Sequence, residues 1–306
     1  MPSQRSNPVV AHIRGRDAGP TLSSAFAELA ELEYRLGDWP AAHSSALESL
    51  RTSRRAGLDQ EAMASLVRLA CIEAGLGRAR ECRRHAAQAR KLGRAGGSAT
   101  IQAQAGEAVG FLELGLDRID SAIDALERVA DLSAHGTATW TTDLAEAYLR
   151  RGDRGAAERS LARATDGPRF ARAPARERTA AMLADEHSYE RLFGRALAWS
   201  EGAQQPFELA RTQLCFGERL RVEGRPQEAS ARVAGALSSF EALGACPWAT
   251  RARRLLNAWG RSSAYGLTIR PSTTGATGEF AAMYSIVTSR RPSPGCSTSV
   301  PPVSAV

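Results

Sequence analysis

The stretch PFELARTQLCFGERLRVEGRPQEA, residues Pro206 to Ala229, decides the fold because it reads as helix, tight turn, helix. Such a hairpin is either a DNA-reading helix-turn-helix or one unit of a longer array. Its charged residues are Arg211, Arg219, Arg221, Arg225, Glu208, Glu218, Glu223 and Glu228, so its net charge is zero. Zero charge is wrong for a helix pair that contacts phosphates and is typical of the solvated face of a repeat. The sequence therefore predicts a repeat hairpin, with packing positions at Phe216, Gly217, Leu220 and Ala229.

Comparable turns recur along the chain with a period near forty residues. The segments are LGDWPAA from Leu36, GLGRARE from Gly75, GLDRIDS from Gly115, RGDRGAAE from Arg151, EGRPQEA from Glu223 and, as a weaker copy, FGRALA from Phe193. Successive turn positions are 40, 39, 36, 42 and 30 residues apart, and they lie at Gly37, Gly77, Leu116, Gly152, Gly194 and Gly224. A fixed period of this length is typical of helical-repeat proteins, in which each hairpin buries its apolar face against its neighbours.

The residues that flank these turns follow the order of a tetratricopeptide repeat, in which small residues let antiparallel helices approach closely. The sequence therefore predicts an all-α fold, a tetratricopeptide-like α-solenoid of about six helical hairpins. We expect a right-handed superhelix whose concave groove is lined by the first helix of each pair. A last helix, Trp248 to Gly260, is expected to close the array, with Gly260 ending it. The matching residues are Leu29, Ala30, Gly37, Asp38 and Ala42 in the first unit, Leu144, Ala145, Tyr148, Gly152, Asp153, Ala157, Leu161 and Ala164 in the fourth, and Phe216, Gly217, Leu220, Gly224, Ala229, Ala236 and Leu237 in the sixth.

The distribution of charge speaks against a domain that binds polyanions. The chain of 306 residues has a formal net charge of +7 and a single lysine, Lys91, among its 40 basic residues. Residues 1–20 carry +2, residues 261–306 carry +3, and the body between them carries only +2. A nucleic-acid-binding domain would concentrate its positive charge on folded structure, whereas here most of it lies on the two ends.

Composition divides the chain into three segments. Residues 1–20 lack a helical pattern, residues 21–260 hold the repeats, and residues 261–306 are rich in Ser, Thr, Pro and Gly. The two ends are therefore predicted to be disordered. The sequence has no apolar run of about 18 residues, no secretory signal and only five scattered cysteines. These features predict a cytoplasmic protein that does not contact membranes.

No catalytic constellation is evident in the sequence. A phosphate-binding loop requires glycines followed by Lys-Ser or Lys-Thr, but Lys91 is followed by leucine. The glycine-rich segment at residues 96–110 is better explained as an inter-repeat loop with a helix cap at Ser98. A Ser-His-Asp triad can be drawn with His43, His85 or His135, yet no strand or nucleophile elbow supports it. We therefore expect neither an enzyme nor a cofactor.

Metal and ligand sites are also better explained by structural roles. The segment DEHSYE, Asp185 to Glu190, could supply ligands from Glu186 and Glu190 on one helix face, but acidic residues at a solvated helix start explain it more simply. Cys71 and Cys82 could approach each other within one repeat, although such cysteines usually fill small core positions. The five tryptophans could line a ligand groove, but most are expected to pack in the core. They are Trp39, Trp140, Trp199, Trp248 and Trp259.

From Pro206 to Gly260 the chain resembles the end of the repeat region of LuxR-family transcriptional regulators, in the large subgroup similar to the maltose regulator MalT. The similarity lies in the start PFELART…L…GERLR, the turn GR..EA and the helices ALSSFEALGA.PWA.RAR.LL, in that order. It is looser over residues 21–205. The resemblance implies a sensor arm that follows an ATP-binding module and precedes a DNA-binding helix-turn-helix.

The two ends depart from that family plan. No phosphate loop precedes the repeats, and after Leu267 and Thr268, where the DNA-binding domain typically opens, Ser, Thr, Pro and Gly follow. This pattern suggests a frameshift near this point and a truncated regulator. Translating the other frames of the gene tests the idea, which fails if none encodes a helix-turn-helix.

Two functions remain open from the sequence. One is the sensor or interaction segment of a LuxR-type regulator, which binds a protein or small-molecule effector in its concave groove. It would bind DNA only if another chain supplied a helix-turn-helix. The alternative is a free-standing repeat scaffold that binds partner proteins in the same groove.

Overall fold

The computed structural model describes residues 19–132, 140–163 and 169–264, and this part of the chain forms thirteen helices and no strand. The predicted disordered ends lie almost wholly outside the described residues. None of the described helices is both long and apolar enough to span a bilayer. The helices are α1 (Gly19–Leu36), α2 (Trp39–Arg55), α3 (Asp59–Leu76), α4 (Ala79–Ala95), α5 (Ala99–Gly115), α6 (Ile119–Leu132), α7 (Trp140–Arg151), α8 (Arg154–Ala162), α9 (Arg169–Leu183), α10 (Tyr189–Gly202), α11 (Pro206–Val222), α12 (Pro226–Ala242) and α13 (Cys246–Ala264).

The helices form antiparallel hairpins, and each hairpin packs on the next, as the sequence predicts. Odd-numbered helices α1 to α11 are the first members of six hairpins, even-numbered helices α2 to α12 are the second members, and α13 packs on α12. Small residues set the helix spacing within a hairpin. A methyl group added at Gly217 would lie 2.5 Å from Val233 Cγ2 and 2.9 Å from the Ala229 carbonyl oxygen, so only glycine fits there. The predicted packing roles of Gly217 and Ala229 are confirmed.

The turns reveal a finer period than the forty residues seen in the sequence. Backbone φ is positive every twenty residues at Gly37, Gly57, Gly77, Gly97 and Asp117, and again at Gln204, Gly224 and Gly244, whereas Gly152 in the fourth hairpin departs from this spacing. At each of these turns the next residue's N–H donates to a carbonyl five residues back, as Asp38 N does to Glu33 O at 2.9 Å. This Schellman geometry satisfies carbonyls that the helix end leaves open. These eight turns, some within and some between hairpins, therefore share one geometry.

Gln204 has a positive φ of 50° although it is not a glycine. At the equivalent turn twenty residues later, Gly224 has a φ of 76°. Left-handed backbone costs an L-residue about 1–2 kcal/mol, and glycine avoids that cost at a smaller entropic penalty. We expect Gln204→Gly to raise the free energy of unfolding by about 0.5–1 kcal/mol in urea titrations. Gly224→Ala is the matched control and should lower it by about 1 kcal/mol, because alanine disfavours the positive φ of 76°. No heavy atom lies within 4 Å of the added carbon, so steric overlap does not contribute. Equal effects of the two changes would contradict this reading.

Two predicted boundaries are wrong. Gly194 was expected to mark the fifth turn but lies inside α10, and Gly260 was expected to end the last helix but lies inside α13, which continues to Ala264. The fifth turn is instead made by residues 184–188, because the Asp185 carboxylate accepts hydrogen bonds from the backbone N–H groups of His187 at 3.1 Å and Ser188 at 2.9 Å. An aspartate side chain thus forms the turn without glycine.

The closed concave side as candidate functional site

The concave side is closed by contacts between the two halves of the array. Seven inner helices, α1, α3, α5, α7, α9, α11 and α13, face it, and α11 and α13 reach across to α1, α3 and α5. At the first turn, a methyl group added at Gly37 would lie 2.6 Å from Leu243 Cδ2 and 2.8 Å from Pro206 Cγ. At the second turn, one added at Gly77 would lie 2.7 Å from Pro247 Cγ. The first helices line this side, as predicted, and within the described residues α11 and α13 contact α1, α3 and α5 across it.

An aromatic column fills the part of the interior near the first hairpin. The Trp39 ring lies 5.3 Å from Tyr34 and 5.1 Å from Phe207, centroid to centroid. Phe207 in turn lies 5.6 Å from Trp248. The Trp39 indole N–H donates to the Tyr34 carbonyl at 3.0 Å, so the buried ring has its polar partner. The column joins α1, α2, α11 and α13, and Phe111 of α5 contacts both Phe207 and Trp248 at 5.7 Å.

A network of buried ion pairs continues the interior beyond this column, with Glu146 of α7 at its centre. Glu146 Oε2 accepts from Arg211 Nε at 3.0 Å and from Nη2 at 2.7 Å, while Oε1 accepts from Arg251 Nη1 at 2.9 Å. Arg150 Nη1 of the same helix lies 3.8 Å from Oε1. Glu146 is only 1% exposed. One carboxylate therefore fastens α7 to α11 and α13.

Further pairs extend the network on both sides of Glu146. Arg251 Nη2 donates to both oxygens of Glu218 at 2.8 and 2.9 Å, and Arg211 Nη2 lies 2.6 Å from Asp143 Oδ1. We call these groups the interior charge network: Asp143, Glu146, Arg150, Arg178, Glu208, Arg211, Glu218 and Arg251. Arg178 pairs with Glu208, and Arg150 pairs with Asp117 beside the third turn. These eight residues comprise four guanidinium groups and four carboxylates, and Asp117 adds a fifth carboxylate through its pair with Arg150.

Three carboxylates of the network are buried, but their pKa values shift in different directions. Burial alone raises a carboxyl pKa, yet the guanidinium groups of Arg211, Arg251 and Arg150 outweigh it at Glu146 and hold the pKa of that group well below its ordinary value. At Asp143 burial prevails over the neighbouring Arg211, and the pKa is raised. The pKa of Glu218 is likewise raised by burial despite Arg251. Glu146 is therefore the carboxylate whose negative charge the network stabilises most.

The network and the aromatic column meet at Trp248. The guanidinium carbon of Arg211 lies 4.6 Å from the Trp248 ring centroid, within reach of a cation–π interaction. Trp248 has no exposed surface, and its indole nitrogen has no hydrogen-bond partner among the described residues. A displacement of the Trp248 ring would therefore also move the Arg211 guanidinium group.

The prediction of a solvated face for Pro206–Ala229 is correct for Arg225 and Glu228, whose side chains are 35% and 57% exposed, but wrong for three other charged residues. Arg211, Glu218 and Arg219 of this stretch are between 2% and 6% exposed. Arg211 and Glu218 meet opposite charges on other helices, and Arg251 lies 33 residues from Glu218 in sequence, whereas Arg219 pairs with Glu223 of the same stretch at 2.6 Å. A zero net charge indicates pairing but does not reveal whether the pairs face water or each other. Burial of these side chains depends on how the whole superhelix closes, and a single repeat does not show that closure.

The histidines of the hypothetical triads have structural partners. His43 Nε2 and His85 Nδ1 lie 3.1 and 2.8 Å from oxygens of the buried Glu73. Arg84 Nη2 lies 3.2 Å from His85 Nε2, so both ring nitrogens of His85 have a polar neighbour. These contacts tie α2, α3 and α4 together, and no serine takes part in them. His135 lies outside the described residues.

The remaining candidate groups occupy packing positions. Burial raises the pKa of the Cys71 thiol to about 12 and raises that of Cys82 further, so neither is poised as a thiolate at neutral pH. Four of the five tryptophans are at least 93% buried, while Trp199 is 36% exposed. The expectation of mainly core tryptophans is confirmed. Within the described ranges, no cluster of three or more His, Cys, Asp or Glu is arranged to hold a metal ion.

Comparisons with known proteins identify a fold. No family model and no curated protein matches the sequence. Among the solved structures, a Rap protein complexed with competence and sporulation factor is similar at a TM-score of 0.52, with 12% identity over 87% of this chain and 82% of the Rap chain. The chain has a tetratricopeptide-type helical-repeat fold. Repeat folds of this type serve as protein-interaction scaffolds. At this identity the similarity supports the fold and not a shared ligand.

Proposed function

We propose that this chain is a non-enzymatic interaction module that binds a protein or peptide segment on its concave side. The observation that supports this most is the interior charge network, because it places guanidinium and carboxylate groups where a helical repeat receives its ligand. The similar Rap chain is complexed with competence and sporulation factor, which is consistent with a bound partner in a fold of this kind.

The closed arrangement suggests how a partner gains access. A buried ion pair contributes little net free energy relative to apolar packing, because the loss of hydration offsets most of the attraction. A partner that offers its own charged and peptide groups could therefore replace contacts such as Arg251–Glu218 or Arg211–Glu146 at small cost. The contacts of α11 and α13 with α1, α3 and α5 would open, and the same side chains would then bind the partner. The protein would thus shift between closed and partner-bound populations.

The resemblance of residues 206–260 to LuxR-family regulators gives this proposal a context. In that context the module is the sensor or interaction segment of a transcriptional regulator, and the bound effector sets the position of a DNA-binding domain. DNA binding would then require a helix-turn-helix from another chain. A free-standing scaffold is the alternative, and it uses the same concave side.

A reversible disulfide between α5 and α13 tests whether the concave side binds a partner. Cβ of Pro247 lies 3.3 Å from the position of a methyl group added at Gly115, close to the separation that a disulfide spans. We expect Gly115→Cys/Pro247→Cys, with Cys246→Ser and Cys296→Ser to avoid competing thiols, to form an intramolecular disulfide under mild oxidation. The oxidised variant should migrate faster on a non-reducing gel than the same variant after reduction.

The locked protein then serves as its own control in a partner capture from cells of the source organism, followed by mass spectrometry. Partners bound by the reduced protein should be lost on oxidation and recovered after reduction, because the lock prevents the concave side from opening. A partner set that is identical in both states would place binding elsewhere on the molecule. If the disulfide does not form, the closed arrangement itself is wrong.

A further inference from the structure

Two neighbouring outer helices carry opposite charges. Helix α4 holds six basic residues and one acidic residue, whereas α6 holds four acidic residues and one basic residue. These helices are the second members of consecutive hairpins, and both pack against α5. Because helices alternate in direction along the array, α4 and α6 point the same way. Their outward faces therefore form a positive strip beside a negative strip.

The two strips are in register with each other. Arg80 and Asp120, Arg84 and Asp124, and Lys91 and Asp131 are each 40 residues apart, which equals the spacing of the turns at Gly77 and Asp117. Each pair thus occupies the same repeat position on successive helices. Three cations at given heights on α4 have three carboxylates at the same heights on α6.

The six side chains face solvent. All six are exposed, and among the described residues they form no ion pair with a carboxylate or a basic group, although Arg84 also lies 3.2 Å from His85 Nε2. The opposite face of α4 is buried through Cys82, Ala86 and Ala89, and that of α6 through Ala122, Leu126 and Val129. These positions fix the orientation of both helices, because residues three or four apart share one helix face. The two charged strips are therefore available to a partner.

We propose that this surface binds a second copy of the same chain. A two-fold axis parallel to α4 and α6, and lying between them, places α4 of one copy over α6 of the other. The same rotation places α6 over α4, so both contacts form at once. Arg84 of one copy then lies opposite Asp124 of the other, and Lys91 lies opposite Asp131. An interface of this kind is self-complementary in charge and in register.

A second copy suits the surface better than a nucleic acid or a uniformly acidic protein does. Phosphates attracted by α4 would be repelled by the acidic strip on the adjacent α6. Only a partner that carries both signs at the same spacing satisfies both helices, and the chain itself does. Two polar helix faces form an interface smaller than that of most permanent dimers. The dimer is therefore reversible and sensitive to salt.

Charge exchange tests the proposal by sedimentation velocity. The acidic variant is Arg84→Glu/Lys91→Glu, and the basic variant is Asp124→Lys/Asp131→Lys. Each should weaken self-association at least about tenfold, because both contacts become repulsive. An equimolar mixture should restore association as a heterodimer, since each altered helix then meets its opposite. Association of the unaltered chain should weaken by about tenfold between low and high salt.

A matched control is Arg191→Glu/Arg195→Glu on outer helix α10, which changes the net charge by the same amount as the acidic variant. Its self-association should stay close to that of the unaltered chain, and circular dichroism should show that every variant is folded. A chain that is monomeric under all conditions overturns the proposal. So does a monomer that binds polyglutamate or duplex DNA through Arg84 and Lys91, because the partner is then of another class. Dimerisation that neither salt nor charge exchange alters also overturns it.

Discussion

Glu146→Gln should lower the free energy of unfolding by about 3–5 kcal/mol, because it leaves Arg211 and Arg251 buried without a compensating charge. The side chain keeps its size, so the loss reports charge and hydrogen bonding rather than packing. Urea titration monitored by circular dichroism measures the effect. The difference from the unaltered protein should also depend on pH. The folded-state pKa of Glu146 is lowered, so its contribution is complete above the unfolded-state value of about 4.3 and is lost as pH falls toward the folded-state pKa.

Asp143→Asn is the matched control within the same network. Its carboxylate also contacts Arg211, at 2.6 Å, but burial raises its pKa, so its environment favours the uncharged form. We expect this change to cost about 1 kcal/mol or less. If the two variants were equally unstable, the network would not distinguish its carboxylates and Glu146 would not be its centre. A Glu146→Gln effect that persisted unchanged at pH 3 would contradict the electrostatic origin.

Trp248→Ala should lower the free energy of unfolding by about 3–5 kcal/mol, through a cavity at the junction of α5, α11 and α13. Trp248 is fully buried against Phe111 and Phe207, and it supports the Arg211 guanidinium. Thermal unfolding measures the stability. Small-angle X-ray scattering should show a larger radius of gyration, because the contacts that close the concave side are weakened.

Trp199→Ala is the control for the tryptophan change. Trp199 is 36% exposed, so its removal should cost about 1 kcal/mol or less and leave the radius of gyration unchanged. A compact, stable Trp248→Ala protein would show that the aromatic column does not hold the array closed.

Local rules made most of the fold predictable from sequence. Turn glycines at a regular spacing locate most hairpins because left-handed backbone favours glycine, and small residues such as Gly217 mark close helix approach. The same rules fail where another side chain replaces glycine. Asp117 has a positive φ of 65° at a position where the repeats before it have glycine, and Asp185 builds the fifth turn from its carboxylate. Gly194 misled the prediction because a glycine within a helix resembles a turn signal.

The interior charge network could not be predicted because its pairs join residues distant in sequence. Glu146 and Arg251 are 105 residues apart, and Glu146 and Arg211 are 65 apart. Charge balance within Pro206–Ala229 was a correct observation, but it does not determine exposure. Only the curvature of the whole array, summed over all the hairpins, brings these side chains together. When the array is predicted repeat by repeat, small errors in the rotation of each repeat accumulate and separate the paired side chains.

The closure of the concave side also changes how the array unfolds. An open repeat array is nearly one-dimensional, so terminal units fray first and stability is a sum over neighbours. Here the first turn, at Gly37, packs against Leu243 and Pro206 of the last hairpin. Each of these two hairpins therefore has a packing partner at the other end of the array. Loss of one terminal hairpin removes support from the other. We therefore expect the first and last hairpins to unfold together rather than to fray independently.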